Sequence, residues 1–172
     1  LHPAIQRPVA VLAAVSAPSI RIQEFVGGIS QEEWKALLDN SKHPLINKVV
    51  QATYPPGSTY KMVTALAGLA KGAIDENTGF YCPGSYSFGN RTYRCWRHSG
   101  HGAVSLNRAI GESCDVYFYQ VGQRVGVDSL AEYAQKLGLG LKTGVEMEYE
   151  KEGLTPTKKW KLKNRKAKWQ DG

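Results

Sequence analysis

The chain has 172 residues, 42% of them apolar and 22% charged, which is enough apolar material to bury a core and excludes intrinsic disorder. Twenty-two Lys and Arg against fifteen Asp and Glu leave a net charge of +7, which raises nucleic acid and membrane surfaces as candidate partners. No apolar run approaches the ~18 residues of a membrane span, and no charged N-terminal region with a cleavage site marks a signal peptide.

In chain order, residues 8–15 form a short continuous apolar run that predicts a buried strand. Ser30 followed by Glu33 spells a capping box, which predicts a helix over 31–39. Pro55-Pro56-Gly57 is a sharp stop, and Met62, Val63, Ala65, Leu66 and Leu69 then recur at helical spacing up to Gly72. This predicts a buried helix over 58–71 closed by glycine. Residues 79–103 are rich in Gly, Tyr and Arg, with two cysteines and two histidines, and predict an irregular excursion with an internal tie. A helical pattern runs from Leu106 to Val125 with a break near Ser113, and another from Asp128, as N-cap, to Leu137. Helices outnumber strands, which predicts a mixed α/β or α+β unit.

The positive charge is concentrated. Residues 151–172 carry a net +6, leaving +1 for the rest of the chain. Such a segment is either a solvated strap, anchored by Trp160, Leu162 and Trp169, or a contact with a partner or membrane surface. The nearly neutral body offers no basic groove, which argues against nucleic acid.

Ser58 and Lys61 open the helix after the Pro-Pro turn. Residues three apart share a helix face, so the lysine is expected to reach the serine hydroxyl. A serine needs a base, and a lysine buried among apolar residues loses its proton more readily. The plainer alternative is a serine N-cap beside a solvated lysine. Ser113-Cys114-Asp115, at the break in the later helical pattern, supplies a second element whose serine can relay a proton.

The segment Tyr54-Pro55-Pro56-Gly57-Ser58-Thr59-Tyr60-Lys61 resembles the active-site segment of penicillin-binding proteins. Phe80 to Gly84, Gly89 to Trp96, Gly100-His101-Gly102 and Ser113 to Gln120 narrow the resemblance to the class B enzymes of the penicillin-binding protein 2 type, along 9–169. The resemblance implies a partial penicilloyl-serine transferase fold, β-lactamase-like, with mostly its helical part present and its five-stranded sheet incomplete. It implies a D,D-transpeptidase at the periplasmic face of the bacterial inner membrane. Such enzymes cross-link peptidoglycan stem peptides during elongation with other cell-wall synthesis proteins, and β-lactams acylate them. Membrane attachment would come only through an anchor this chain lacks. Carried over by position, Ser58 is the acylated nucleophile, Lys61 its base, and Ser113 with Asp115 the second element. Relatives often carry Asn where Asp115 stands. Leu1 to Pro8 also lacks the family's Asp-Pro-x-x-Gly hairpin.

The family's third element is Lys-Ser/Thr-Gly on an edge strand. Lys142-Thr143-Gly144 spells it, but only 29 positions after Ser113 and directly after a helix, so a turn is expected there. The true strand is expected farther downstream than this chain reaches. The chain alone is then expected to show little or no transpeptidase activity.

Cys82, Cys95 and Cys114 are all the cysteines, with His98 and His101 nearby. Three thiolates and one imidazole form a closed, structural zinc set, although their spacing matches no finger pattern. The resemblance favours His101 within Gly-His-Gly as the fourth ligand, with the metal tying the 79–103 excursion to Ser113. A Cys82–Cys95 disulfide with Cys114 as a buried thiol is the alternative. Two further readings stand beside the transpeptidase: a related penicillin-recognising serine hydrolase, and a non-catalytic zinc-stabilised module that binds through its basic tail.

Overall fold

A computed structural model describes residues 11–170, which divide into two compact units. Of the first unit, residues 11–53 and 144–151 are described, and of the second, 54–143 and 152–170. In the first unit helix α1 spans Gln31–Leu38. The Glu33 N–H donates to Ser30 Oγ at 3.2 Å, and the Ser30 N–H donates back to Glu33 Oε2 at 3.0 Å. This is the capping box expected from the sequence. Ser16 pins the loop that follows, donating its hydroxyl to the Ile46 carbonyl and accepting the Lys48 N–H.

The expected strand over 8–15 is not formed in its described part. Residues 11–15 are irregular and exposed, with Leu12 95% accessible, and residues 8–10 lie outside the described residues, as does the Leu1 to Pro8 segment. An apolar run becomes a strand only beside a hydrogen-bonding neighbour, and no described strand pairs with it.

The second unit holds the core. Helix α2 (Tyr60–Ala70) follows a single 3₁₀ turn at Gly57–Thr59, and Gly72 closes it with φ +66°. Strand β1 (Phe80–Cys82) pairs antiparallel with β4 (Gly102–Val104), and β2 (Ser85–Phe88) forms a hairpin with β3 (Arg91–Arg94). Helix α3 (Leu106–Gly111) and helix α4 (Asp115–Val125) meet at the break foreseen near Ser113, and α5 (Val127–Lys136) follows. The two ladders are all the sheet among the described residues.

The core joins Ala65, Ile74, Val104, Leu106, Val116, Tyr117, Phe118 and Val121 to the three cysteines. Tyr117 is fully buried, and its hydroxyl donates to the Thr78 carbonyl at 2.9 Å, so its polar atom is satisfied inside the core. Asn47 and Gln51 form local hydrogen bonds in the first unit.

Two details differ from expectation. Gly126, not Asp128, caps α5; Asp128 lies inside its first turn and accepts the Lys158 N–H. The basic tail contains a helix, α6 (Lys158–Arg165), capped by Thr157. Trp160 is half-buried there, but Leu162 is 56% exposed and anchors nothing, because its side of the helix is shared with Lys158 and Arg165.

Candidate functional site

Ser58 lies in the 3₁₀ turn that Pro56 and Gly57 force ahead of α2, and Lys61 lies in the first turn of α2. Ser113 and Asp115 come from the α3–α4 break. Ser113 adopts φ +52°, a backbone region that non-glycine residues rarely enter and that usually marks a constrained site. That conformation turns both the Ser113 carbonyl and hydroxyl toward α2.

The four side chains converge. The Lys61 ammonium donates to the Ser113 carbonyl at 2.7 Å, to Ser113 Oγ at 2.9 Å and to Asp115 Oδ1 at 2.6 Å. These three bonds use all three N–H groups of an ammonium. The Ser113 hydroxyl donates to Ser58 Oγ at 3.2 Å. Lys61 therefore connects to Ser58 through Ser113 and makes no direct bond to it, unlike the contact expected from helical spacing. The 3₁₀ turn at Ser58 breaks α-helical register just before Lys61, and the Asp115 carboxylate draws the ammonium across to α4. The Lys61 side chain is 13% exposed and that of Asp115 22%, so their ion pair is largely shielded from water. The cleft beside them encloses about 330 Å³ and is lined by Gly57, Ser58, Tyr60, Lys61, Thr64, Asp115, Phe118 and Tyr119. Burial pushes the Tyr60 and Tyr119 hydroxyls above their ordinary values, which keeps both neutral donors.

Sequence reasoning missed Tyr60, Thr64 and the Phe118–Tyr119 wall as cleft residues. Tyr117 packs in the core, while the next two positions, Phe118 and Tyr119, turn toward the cleft.

Lys142-Thr143-Gly144 lies in irregular backbone after α5 and on no strand. It contributes nothing to the lining of the cleft.

Behind the cleft is a second cluster. Cys82, Cys95, His101 and Cys114 are all buried, and their ligand atoms lie within 4.8 Å of one another. The three cysteines are free thiols. His101 Nδ1 is 3.5 Å from both Cys82 Sγ and Cys95 Sγ, while His101 Nε2 is buried with no hydrogen-bond partner, 3.8 Å from Glu112 Oε2. Burial pushes the Cys82 thiol up, but hydrogen bonds from the His101 ring and backbone and from the Gly84 backbone outweigh it and bring the thiol down to about 7. Burial raises Cys114 to about 12, with the neighbouring sulfurs adding to the rise. The two thiols are thus pushed in opposite directions, Cys114 upward chiefly by burial, and a bound cation would favour the thiolate at both. The set could hold a metal ion. His98 is outside it.

The backbone is shaped for this cluster by two glycines. Gly84 and Gly100 have φ +100° and +79°, and a Cβ at either would lie 2.1–2.2 Å from the carbonyl oxygen of His98 or Cys82. Only glycine lets these two turns cross so closely and bring Cys82 alongside Cys95 and His101.

Comparison with known proteins places this geometry. The family model for the penicillin binding protein transpeptidase domain matches residues 7–170. The peptidoglycan D,D-transpeptidase MrdA of Acinetobacter baumannii is 41% identical over 164 residues, covering 94% of this chain and 24% of its own length. A crystal structure of Pseudomonas aeruginosa PBP2 in complex with WCK 5153 superposes with TM-score 0.80 at 40% identity, covering 92% of this chain and 35% of that one. The complex between PBP2 and MreC from Helicobacter pylori gives TM-score 0.83 at 39% identity, covering 91% and 30%. The chain spans about a quarter of the length of the curated relatives it matches. The mixed α/β fold is thus part of a penicilloyl-serine transferase fold, and the chain belongs to the family of penicillin-binding protein transpeptidase domains.

Proposed function

We propose that this chain carries the nucleophile half of a peptidoglycan D,D-transpeptidase site. Ser58 would attack the carbonyl of the penultimate D-Ala of a stem peptide, releasing the terminal D-Ala and leaving an ester on Ser58 Oγ. An amine from a neighbouring stem would then displace the serine and form the cross-link. The observation that carries this reading is the unbroken hydrogen-bonded line from Lys61 through Ser113 to Ser58 in a member of this family. Reversing the direction of that line moves the serine proton through Ser113 to a neutral Lys61, and running it back delivers a proton to the leaving amine. Asp115 fixes where Lys61 sits. β-Lactams would acylate the same oxygen. The site would work at the periplasmic face of the inner membrane, where its polymer substrate is, beside elongation proteins such as the MreC seen with the Helicobacter pylori relative.

The buried cluster fits a structural zinc. Zinc–sulfur and zinc–nitrogen bonds of about 2.3 and 2.0 Å at a tetrahedral angle place S and N about 3.5 Å apart. Both sulfur–Nδ1 separations are 3.5 Å. Cys82, Cys95, Cys114 and His101 Nδ1 would be the ligands, leaving no open position for substrate. When bound, zinc would neutralise the thiolates and tie the 79–103 excursion to the Ser113 element.

The test is a chimera in which residues 7–170 replace the matching segment of the Acinetobacter baumannii relative. Labelled penicillin is expected to attach to Ser58, as read by peptide mass spectrometry, and Ser58→Ala is expected to abolish it. A folded chimera that traps no penicillin would overturn the reading. The isolated chain is expected to trap it far more slowly than the chimera.

A further inference from the structure

We propose that Asp115 is a two-sided positioning residue that couples metal capture by the cysteine–histidine cluster to the placement of Lys61. This rests on the zinc reading above.

The carboxylate is shared. Its Oδ1 accepts from Lys61 Nζ at 2.6 Å, and its Oδ2 accepts the backbone N–H of Trp96 at 2.9 Å. Each end of the second bond adjoins a ligand: Trp96 follows Cys95, and Asp115 follows Cys114. A metal joining those two sulfurs would therefore close a small ring through Cys95, Trp96, Asp115 and Cys114. Drawing the sulfurs together holds the Trp96 amide against Asp115, and holding that amide brings the sulfurs together.

Trp96 is fixed at two further points although most of its ring faces water. Its indole N–H donates to the Glu112 carbonyl at 3.0 Å, and its ring meets His101 edge-on with centroids 5.3 Å apart. The Glu112 carbonyl lies one residue before Ser113. Both ends of the strained Ser113 turn are thus tied to the ligand loop, one through Trp96 Nε1 and the other through Trp96 N. A left-handed non-glycine residue persists only where its surroundings over-determine it. On the cleft side, Lys61 reads that turn with all of its N–H groups.

Coupling between two binding events is reciprocal. If zinc sets Asp115, then loss of the Asp115 carboxylate must weaken zinc. This can be measured on the 172-residue chain without any turnover. Zinc affinity is read by competition with a chromophoric chelator under reducing conditions. Asp115→Ala is expected to bind zinc about tenfold more weakly, the usual scale for an outer-shell partner. Asp115→Asn keeps an acceptor for the Trp96 N–H and is expected to recover most of that loss. Glu132→Gln, on the surface of α5, is expected to match the parent.

A second readout separates positioning from general stability. In the zinc-loaded chain, Lys61→Met is expected to shift the Trp96 backbone amide resonance, because the carboxylate between them loses its other partner. Equal zinc affinity in the parent and Asp115→Ala would overturn the coupling while leaving the zinc site standing. If Asp115→Ala does not fold, an Asp115→Asn chain binding zinc as weakly as a Cys95→Ser chain would also overturn it. A parent chain that binds no zinc would overturn both readings. None of these outcomes bears on whether Ser58 is acylated.

Discussion

The cleft and the cysteine cluster lie on opposite sides of the same short segment, Ser113 to Asp115, yet they balance charge in opposite ways. In the cleft, protein meets protein: the ammonium of Lys61 has a carboxylate, a carbonyl and a hydroxyl around it. In the cluster, three buried sulfurs face one another and His101 Nδ1, with no charged side chain in the set to balance a thiolate. The first arrangement is complete as it stands. On the zinc reading a cation completes the second, because burial disfavours three thiolates without one. On that reading, folding of the Ser113–Asp115 segment should depend on metal far more than on the ion pair beside it.

The strongest test of that difference removes a ligand. Cys114→Ser leaves the cleft side chains intact but breaks the closed set, and structural zinc sites contribute binding energy directly to folding. We expect a loss of about 3 kcal/mol or more, with the melting temperature no longer rising on adding zinc. A parent chain whose melting temperature ignores both chelator and zinc would erase the contrast.

Next is the backbone that shapes the cluster. Gly100→Ala would place a methyl 2.2 Å from the Cys82 carbonyl oxygen at φ +79°. The contact is with backbone, so no side chain can swing away, and about 3 kcal/mol of destabilisation is expected in thermal or denaturant unfolding. Zinc affinity should fall with it, while an unchanged affinity would mean that the crossing of the two turns does not set the ligand positions.

On the cleft side, Lys61→Met leaves the Asp115 carboxylate with only the Trp96 N–H. The pair is shielded but not sealed, so about 2 kcal/mol is the expected loss in unfolding experiments, less than for the cluster variants. A larger loss than for Cys114→Ser would reverse the ranking of the two regions.

How far each region could be read from sequence follows the same physics. Helices α1 and α2 and the α3–α4 break were legible because capping residues, apolar spacing and Gly72 act locally. The set Cys82, Cys95, His101 and Cys114 was legible as chemistry, and its convergence depends on Gly84 and Gly100, whose mutual approach no local pattern displays. The orientation of Lys61 was not legible. Helical spacing pointed it at Ser58, whereas a carboxylate 54 residues away in sequence decides where it lies. The run at 11–15 failed as a strand for the same reason, since pairing is supplied by distant chain. The half-buried Trp160 and exposed Leu162 show that apolar identity alone does not say which side of a basic helix packs.

The weakest effect is expected where charges pair in open water. Glu132 on α5 sits between Lys136 at 2.7 Å and Lys71 at 2.8 Å, contacts nearly as short as the 2.6 Å of Lys61 with Asp115. Its carboxylate is 41% exposed, and the hydrogen bonds from Lys136 and then Lys71 hold its pKa down to about 2 from an ordinary 4.5. A depressed carboxylate stabilises the fold above its unfolded value and loses that contribution as pH falls through its folded value. The stability difference between parent and Glu132→Gln should thus be constant above about pH 5 and vanish between about pH 4.5 and pH 2. Salt near 0.5 M, where screening acts over roughly 4 Å, should shrink it further at neutral pH. The Lys61→Met difference should barely respond to the same salt, because water and ions reach that pair poorly. Equal salt sensitivity in the two variants would mean that the cleft is as open as the helix surface and that shielding does not distinguish its ion pair.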